Sequence, residues 1–188
     1  MAKVYVFLAD GFEDVEALAP IDILRRGGQE VVTVSVMDGQ IVESAHGVQV
    51  VADNLFDNCD FSDAALLVLP GGMPGATNLY SHEGLRETLE AHCTAGKLTA
   101  AICASPGVVL GQMGLLNGRR ATCYPGFEKL MEDAHYTSAV YTVDGNIVTA
   151  EGPAAAFAFG YELLKILAGE ETSRQIAEGM RYAHLMGW

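Results

Sequence analysis

A chain of 188 residues, half of them hydrophobic, can bury one sizeable core and is short for two, so one domain over residues 1–188 is expected. Its 24 acidic and 11 basic side chains give a formal charge of -13. Such a surface repels phosphate backbones and acidic lipid, which excludes nucleic acid and membrane surfaces as primary partners.

Short β-branched or aliphatic runs alternate with longer helical patterns. The strands are expected at Val4–Leu8, Val31–Val36, Ala65–Leu69, Leu98–Ile102 and Ile147–Thr149. The helices are expected near residues 14–27, 83–95, 104–112, 126–133, 153–168 and 172–183. This alternation predicts an α/β fold, a mostly parallel sheet with helices on both faces. Asp38-Gly39 and Asp144-Gly145 are hairpin signals and predict small antiparallel additions at the sheet margin.

At the N-terminus the apolar stretch Val4–Ala9 is followed at once by Asp10, Glu13 and Asp14, which is not the pattern of a signal peptide. No apolar run approaches the ~18 residues that a membrane span needs. A cytoplasmic location is therefore expected, where thiols stay reduced. The next segment places Glu13, Asp14 and Glu16 at a helix start, where acids suit the positive end of the dipole. Glu16 stands apart from the others. Pro20, four residues on, has no N–H to close the helical bond onto the Glu16 carbonyl, and the helix is expected to bend there.

After the third strand comes Pro70-Gly71-Gly72-Met-Pro74. Two glycines let a backbone approach a ligand and turn N–H groups toward it, although a plain structural turn is the commoner role of such a sequence. The GxGxxG spacing and the Gly-Lys-Ser/Thr ending of phosphate loops are both missing, so no nucleotide is expected. After the fourth strand, Leu98-Thr-Ala-Ala-Ile-Cys103-Ala-Ser-Pro-Gly107 runs from strand straight into helix with Pro106 in its first turn. This is the thiol counterpart of a nucleophile elbow, and a helix start lowers a thiol pKa. Two readings of Cys103 stay open at this point, a reactive thiolate and a small core hydrophobe. What favours the first is convergence. An acid, a glycine pair and a thiol at the ends of three parallel strands can meet in one crevice.

The four cysteines, Cys59, Cys93, Cys103 and Cys123, are 34, 10 and 20 residues apart, with no CxxC pair and no zinc-ligand spacing, so no metal is expected. The histidines are scattered, and His82-Glu-Gly-Leu-Arg86 fails the HExxH pattern at its last position.

Taken together, Gly11-Phe-Glu-Asp-Val-Glu16, Leu69-Pro-Gly-Gly72, Ala101-Ile-Cys-Ala-Ser-Pro106 and Glu151-Gly-Pro153 resemble the ThiJ/PfpI superfamily. Within it they are most similar to the parkinsonism-associated deglycase (DJ-one) branch with its bacterial relatives. The resemblance implies a flavodoxin-like three-layer sandwich, a homodimer, and an elbow cysteine at Cys103 bonded to a protonated glutamate at Glu16. It also implies an oxyanion site from the N–H groups of Gly72 and Ala104, and a pocket including Gly71, Tyr124 and His46. The activity implied is cofactor-free glyoxalase or deglycase chemistry on α-oxoaldehydes or their adducts. Oxidative-stress sensing or chaperone action through oxidised Cys103 is the alternative. An intracellular cysteine peptidase is disfavoured, because Ala104 stands where such proteases carry histidine after the nucleophile. Tyr124 replaces the pocket histidine of some deglycase relatives, and His46 falls where the animal protein has a pocket arginine.

Overall fold

Strand β1 (Lys3–Leu8) shows how both faces of the sheet come to be covered. Val4, Val6 and Leu8 point to one face, Tyr5 and Phe7 to the other, and all five are buried. The structure, a computed structural model, describes residues 1–187. Helix α1 (Asp14–Arg26) follows, then β2 (Glu30–Ser35), β3 (Ile41–Glu43), β4 (Gln49–Val51) and β5 (Asn54–Leu55). Next come β6 (Leu66–Leu69), α2 (Gly75–Ser81), α3 (Glu83–Thr94) and β7 (Leu98–Ile102). Beyond β7 the chain forms β8 (Arg120–Ala121), β9 (His135–Tyr136), β10 (Tyr141–Asp144) and β11 (Ile147–Ala150). Helices α4 (Ala156–Ala168), α5 (Glu170–Gly179) and α6 (Tyr182–Met186) end the described chain.

The main sheet has seven strands in the order β10-β11-β7-β6-β1-β2-β5, all parallel except β10. This is the flavodoxin-like three-layer α/β architecture expected from the sequence. One layer is built from Ile21, Ile23 and Leu24 of α1 and Phe159, Leu163 and Leu164 of α4, packed on Val6, Val68 and Val148. The opposite layer sets Leu85, Leu89 and Cys93 of α3 against Phe7, Leu67 and Ala101. Helix α1 runs uninterrupted through Pro20. It approaches α4 closely because Gly160 faces it: a Cβ on Gly160 would lie 2.8 Å from Ile23 Cδ1 and 3.2 Å from the Pro20 Cα.

The structure corrects several boundaries. The helix expected at 104–112 is a π-helical turn, Pro106–Gly111, and the one at 126–133 shrinks to a single 3-10 turn, Glu128–Leu130. The helix expected at 172–183 is two helices, α5 and α6, separated at Arg181, which takes a positive φ of 64. Helix α2 carried no periodic apolar signal. Its buried residues are only Gly75, Ala76 and Leu79. Asp144-Gly145 does turn β10 back onto β11. Asp38-Gly39 instead leads from β2 to β3, which pairs only with β4 in a separate two-stranded ribbon.

Candidate active site

Three strand ends meet at the crevice. β1 and β6 are neighbours where the strand order reverses, with β2 beyond one and β7 beyond the other, and ligand crevices of doubly wound sheets open at such points. The chain leaving β1 delivers Glu16 on the first turn of α1, the chain leaving β6 delivers Gly71 and Gly72, and β7 ends against Cys103.

Cys103 has φ 65, a left-handed conformation that a residue with a side chain adopts at a cost. Its peptide groups are fixed on both sides. The Cys103 N–H donates to the Ala150 carbonyl at 2.9 Å, and the Cys103 carbonyl accepts from the Tyr124 N–H at 2.8 Å. The turn leaves Cys103 as a whole only 9% exposed. Gly71 admits it: a Cβ there would stand 2.5 Å from both Cys103 Cβ and Glu16 Oε2. Gly72 holds φ 87, and a Cβ on it would collide with the Gly11 carbonyl and the Glu13 N–H at 2.4 Å.

Glu16 is 0% exposed. Its Oε2 accepts from the Gly71 N–H at 3.0 Å, while Oε1 is buried without a partner of ordinary hydrogen-bond geometry. The Cys103 thiol is the other polar group against this carboxyl. Burial pushes Glu16 up to about 7, opposed by the Cys103 thiol and the Gly71 N–H and reinforced by the Glu13 carboxylate. Burial, followed by the Glu16 charge, pushes the Cys103 thiol up to about 12, while the N–H groups of Gly72 and Ala104 act to lower it. Beside the helix start, burial and Glu16 act against the thiolate while the Gly72 and Ala104 N–H groups act for it. The two groups titrate as a pair. Burial holds the pair protonated above the usual carboxylate range, and the first charge to form opposes a second. Within the singly charged pair, Gly71 favours the charge on Glu16, whereas Gly72 and Ala104 favour it on sulfur.

Of the expected pocket residues, Gly71 lies between the pair, and Tyr124 is joined to the elbow through its backbone with its ring beside Gly152. His46 Nδ1 is 2.6 Å from Asp14 Oδ2 and its side chain is 69% exposed, so it forms a rim contact with the start of α1. Hydrogen bonding to Asp14 raises the His46 pKa. Glu13, Asp14 and His46 bring ligand-type atoms within 4.8 Å of one another. Those carboxylates already serve the chain: Glu13 Oε2 caps the Glu16 N–H at 2.8 Å, and Asp14 Oδ1 accepts from Ser44 at 2.6 Å. A groove of about 520 Å³ lies elsewhere, beside Tyr141, Tyr161 and Arg174, and shares no lining residue with the thiol crevice.

Sequence reasoning missed three parts of the site. These are the Ala150 carbonyl and Tyr124 N–H that lock the elbow, the Glu13 cap, and Ser105, whose buried Oγ donates to the Pro70 carbonyl at 2.5 Å. Only the capping pattern has a sequence signal, an acid three residues before Glu16. The others depend on which strands become neighbours.

An elbow cysteine faced by a buried carboxyl at the switch point of a parallel sheet sets this molecule among the α/β proteins with a cysteine-centred crevice. The chain belongs to the DJ-1/PfpI family, whose model matches residues 2–166. It is 39% identical over 176 residues to protein DJ-1 homolog B of Arabidopsis thaliana, which covers 93% of this chain and 40% of that protein. The chain therefore spans less than half the length of the Arabidopsis relatives it matches. It is 34% identical over 168 residues to a deglycase of Pyrococcus abyssi, covering 88% of this chain and 99% of that one. Oxidized DJ-1 of Toxoplasma gondii superposes with a TM-score of 0.92 at 39% identity, covering 96% and 98% of the two chains.

Proposed function

We propose that the protein converts small α-oxoaldehydes, or their early adducts with amines and thiols, to hydroxy acids without a cofactor, using Cys103 as nucleophile and Glu16 as acid and base. The observation that carries this reading is the buried Glu16–Cys103 pair, with the N–H groups of Gly72 and Ala104 acting on the sulfur. Its similarity to a protein named as a deglycase supports the substrate class.

With methylglyoxal, the Cys103 sulfur adds to the aldehyde carbon while Glu16 gives its proton to the forming oxyanion, which Gly72 and Ala104 also solvate. Glu16 then takes the proton from that carbon and returns it to the neighbouring one, while the hydroxyl proton passes from the first carbon's oxygen to the former ketone oxygen, leaving a lactoyl thioester. Water cleaves the thioester to lactate and restores the thiol. The aldehyde carbon is oxidised and the ketone carbon reduced by the same two electrons, so the step needs no external redox partner. The test is methylglyoxal consumption in glutathione-free buffer with the product read by NMR. Stoichiometric lactate is expected, and an unchanged aldehyde signal would remove the proposal.

A second reading, a peroxide-sensing thiol, uses the same pair, because Glu16 and the two amides would also stabilise an oxidised sulfur acid. It requires stoichiometric modification where the first requires turnover. We also place the protein in the cytoplasm as a homodimer. Val15 and Leu18 of α1, three residues apart and each 40% exposed, support association. Light scattering at micromolar concentration should give twice the mass of the 20.0 kDa chain, and a monomer would refute it. Among the described residues no helix is long and apolar enough to cross a membrane.

A further inference from the structure

Ser105 is fully buried and opens the π-helical turn, yet its side chain caps nothing there. Serines at helix starts ordinarily bond to a nearby N–H. This one reaches across to the next strand end and donates to the Pro70 carbonyl at 2.5 Å. That carbonyl and the Gly71 N–H are the two ends of one peptide group. The N–H end donates to Glu16 Oε2 at 3.0 Å, so this peptide plane is held at both ends, and the following peptide is fixed in turn by its Gly71 carbonyl, which accepts from the Glu13 N–H at 3.0 Å. A hydrogen bond to the oxygen of an amide polarises the group and makes its N–H a stronger donor.

We propose that Ser105 is a positioning residue that sets the charge distribution of the Glu16–Cys103 pair through the Pro70–Gly71 peptide. The inference rests on the proposed roles of that pair and adds a residue to them. Polarised by Ser105, the Gly71 N–H stabilises negative charge on Glu16. The titratable groups bearing on Glu16 are Glu13, from its own helix, and Cys103, from the end of β7. Neither hydrogen-bonds to the Ser105 hydroxyl, which donates to the Pro70 carbonyl, so the serine acts on Glu16 by way of the peptide.

The sign follows from this arrangement. Without the hydroxyl the Gly71 N–H is a weaker donor, ionised Glu16 loses support, and its proton is released at higher pH. The test is an infrared titration of the protonated-carboxyl band with no aldehyde present, using Glu16→Gln to identify the band. Ser105→Ala should move its midpoint upward by roughly half a pH unit, the size expected for losing one polarising bond in a short chain. Ser105→Thr, which keeps a hydroxyl, should restore the wild-type midpoint. Ser105→Cys, a weak donor of similar volume, should give a smaller upward move and serves if the alanine variant does not fold. A purely structural role predicts the opposite sign for alanine, because loosened packing admits water and brings the carboxyl back down. An unchanged or lowered midpoint, or equal moves for alanine and threonine, overturns the inference. Because the titration involves no substrate, its result stands apart from whether the wild type turns over methylglyoxal.

Discussion

Replacing Cys103 by serine is expected to reduce aldehyde turnover at least roughly 1,000-fold, to the level of buffer, while leaving the fold intact. The exchange is nearly isosteric, and the serine hydroxyl can still bond with the Glu16 carboxyl that now faces the thiol. What disappears is an acidic proton. A thiol pushed to about 12 can still share its charge with Glu16, whereas an alcohol in the same place does not ionise and attacks an aldehyde only as a neutral group. Steady-state rates on methylglyoxal, paired with circular dichroism and thermal unfolding, separate lost chemistry from lost structure. A serine variant that folds and turns over at the wild-type rate would place the nucleophile elsewhere.

Glu16→Gln is expected to cost turnover roughly 100-fold or more, because the amide can accept the Gly71 hydrogen bond but cannot carry a proton between carbons. The same change should alter stability in a pH-dependent way. Burial raises Glu16 from 4.5 to about 7, so the folded state holds a proton that the unfolded chain has released between those values. The sign is that wild-type stability falls as pH rises from 4.5 through about 7. At 1.36 kcal/mol per pH unit the full difference is about 3 kcal/mol. Glutamine cannot ionise and should flatten that slope. Denaturant unfolding at pH 5 and pH 8 reads it: a wild type equally stable at both, relative to the glutamine variant, would mean that Glu16 is not held protonated by its burial.

The layered α/β fold was legible because parallel strands covered on both faces are apolar along their whole length, as in Leu66–Leu69, where every residue is buried. Periodicity was a poor guide to the rest. The segment 126–133 carries Phe127, Leu130 and Met131 at helical spacing yet folds as little more than one turn, while α2 is short and buries only Gly75, Ala76 and Leu79. In the crevice, Cys103 and the two glycines could be read from local sequence because elbows and tight turns have local rules. The environment that decides whether the thiol ionises lies in no such window. Whether a helix start lowers a thiol depends on how much water reaches it and what charge faces it, and here burial and Glu16 come from a segment 87 residues away in sequence. Cys59 gives the same lesson. Its flanking acids suggest a thiol raised by charge, yet desolvation is the main cause, and Lys3 acts in the opposite direction.

The most direct test of the paired thiol is competitive iodoacetamide labelling of the folded protein at neutral pH, followed by peptide mapping. Cys123 is fully buried and pushed up to about 12 with no amide pair to hold a thiolate, Cys93 is buried within α3, and Cys59 is raised by desolvation. Only Cys103 has both a neighbouring carboxyl to take its proton and two N–H groups acting on its sulfur. The account predicts that Cys103 labels first, with a rate that rises with pH as the pair loses its first proton. Modification of Cys59 or Cys123 while Cys103 stays unlabelled would contradict it.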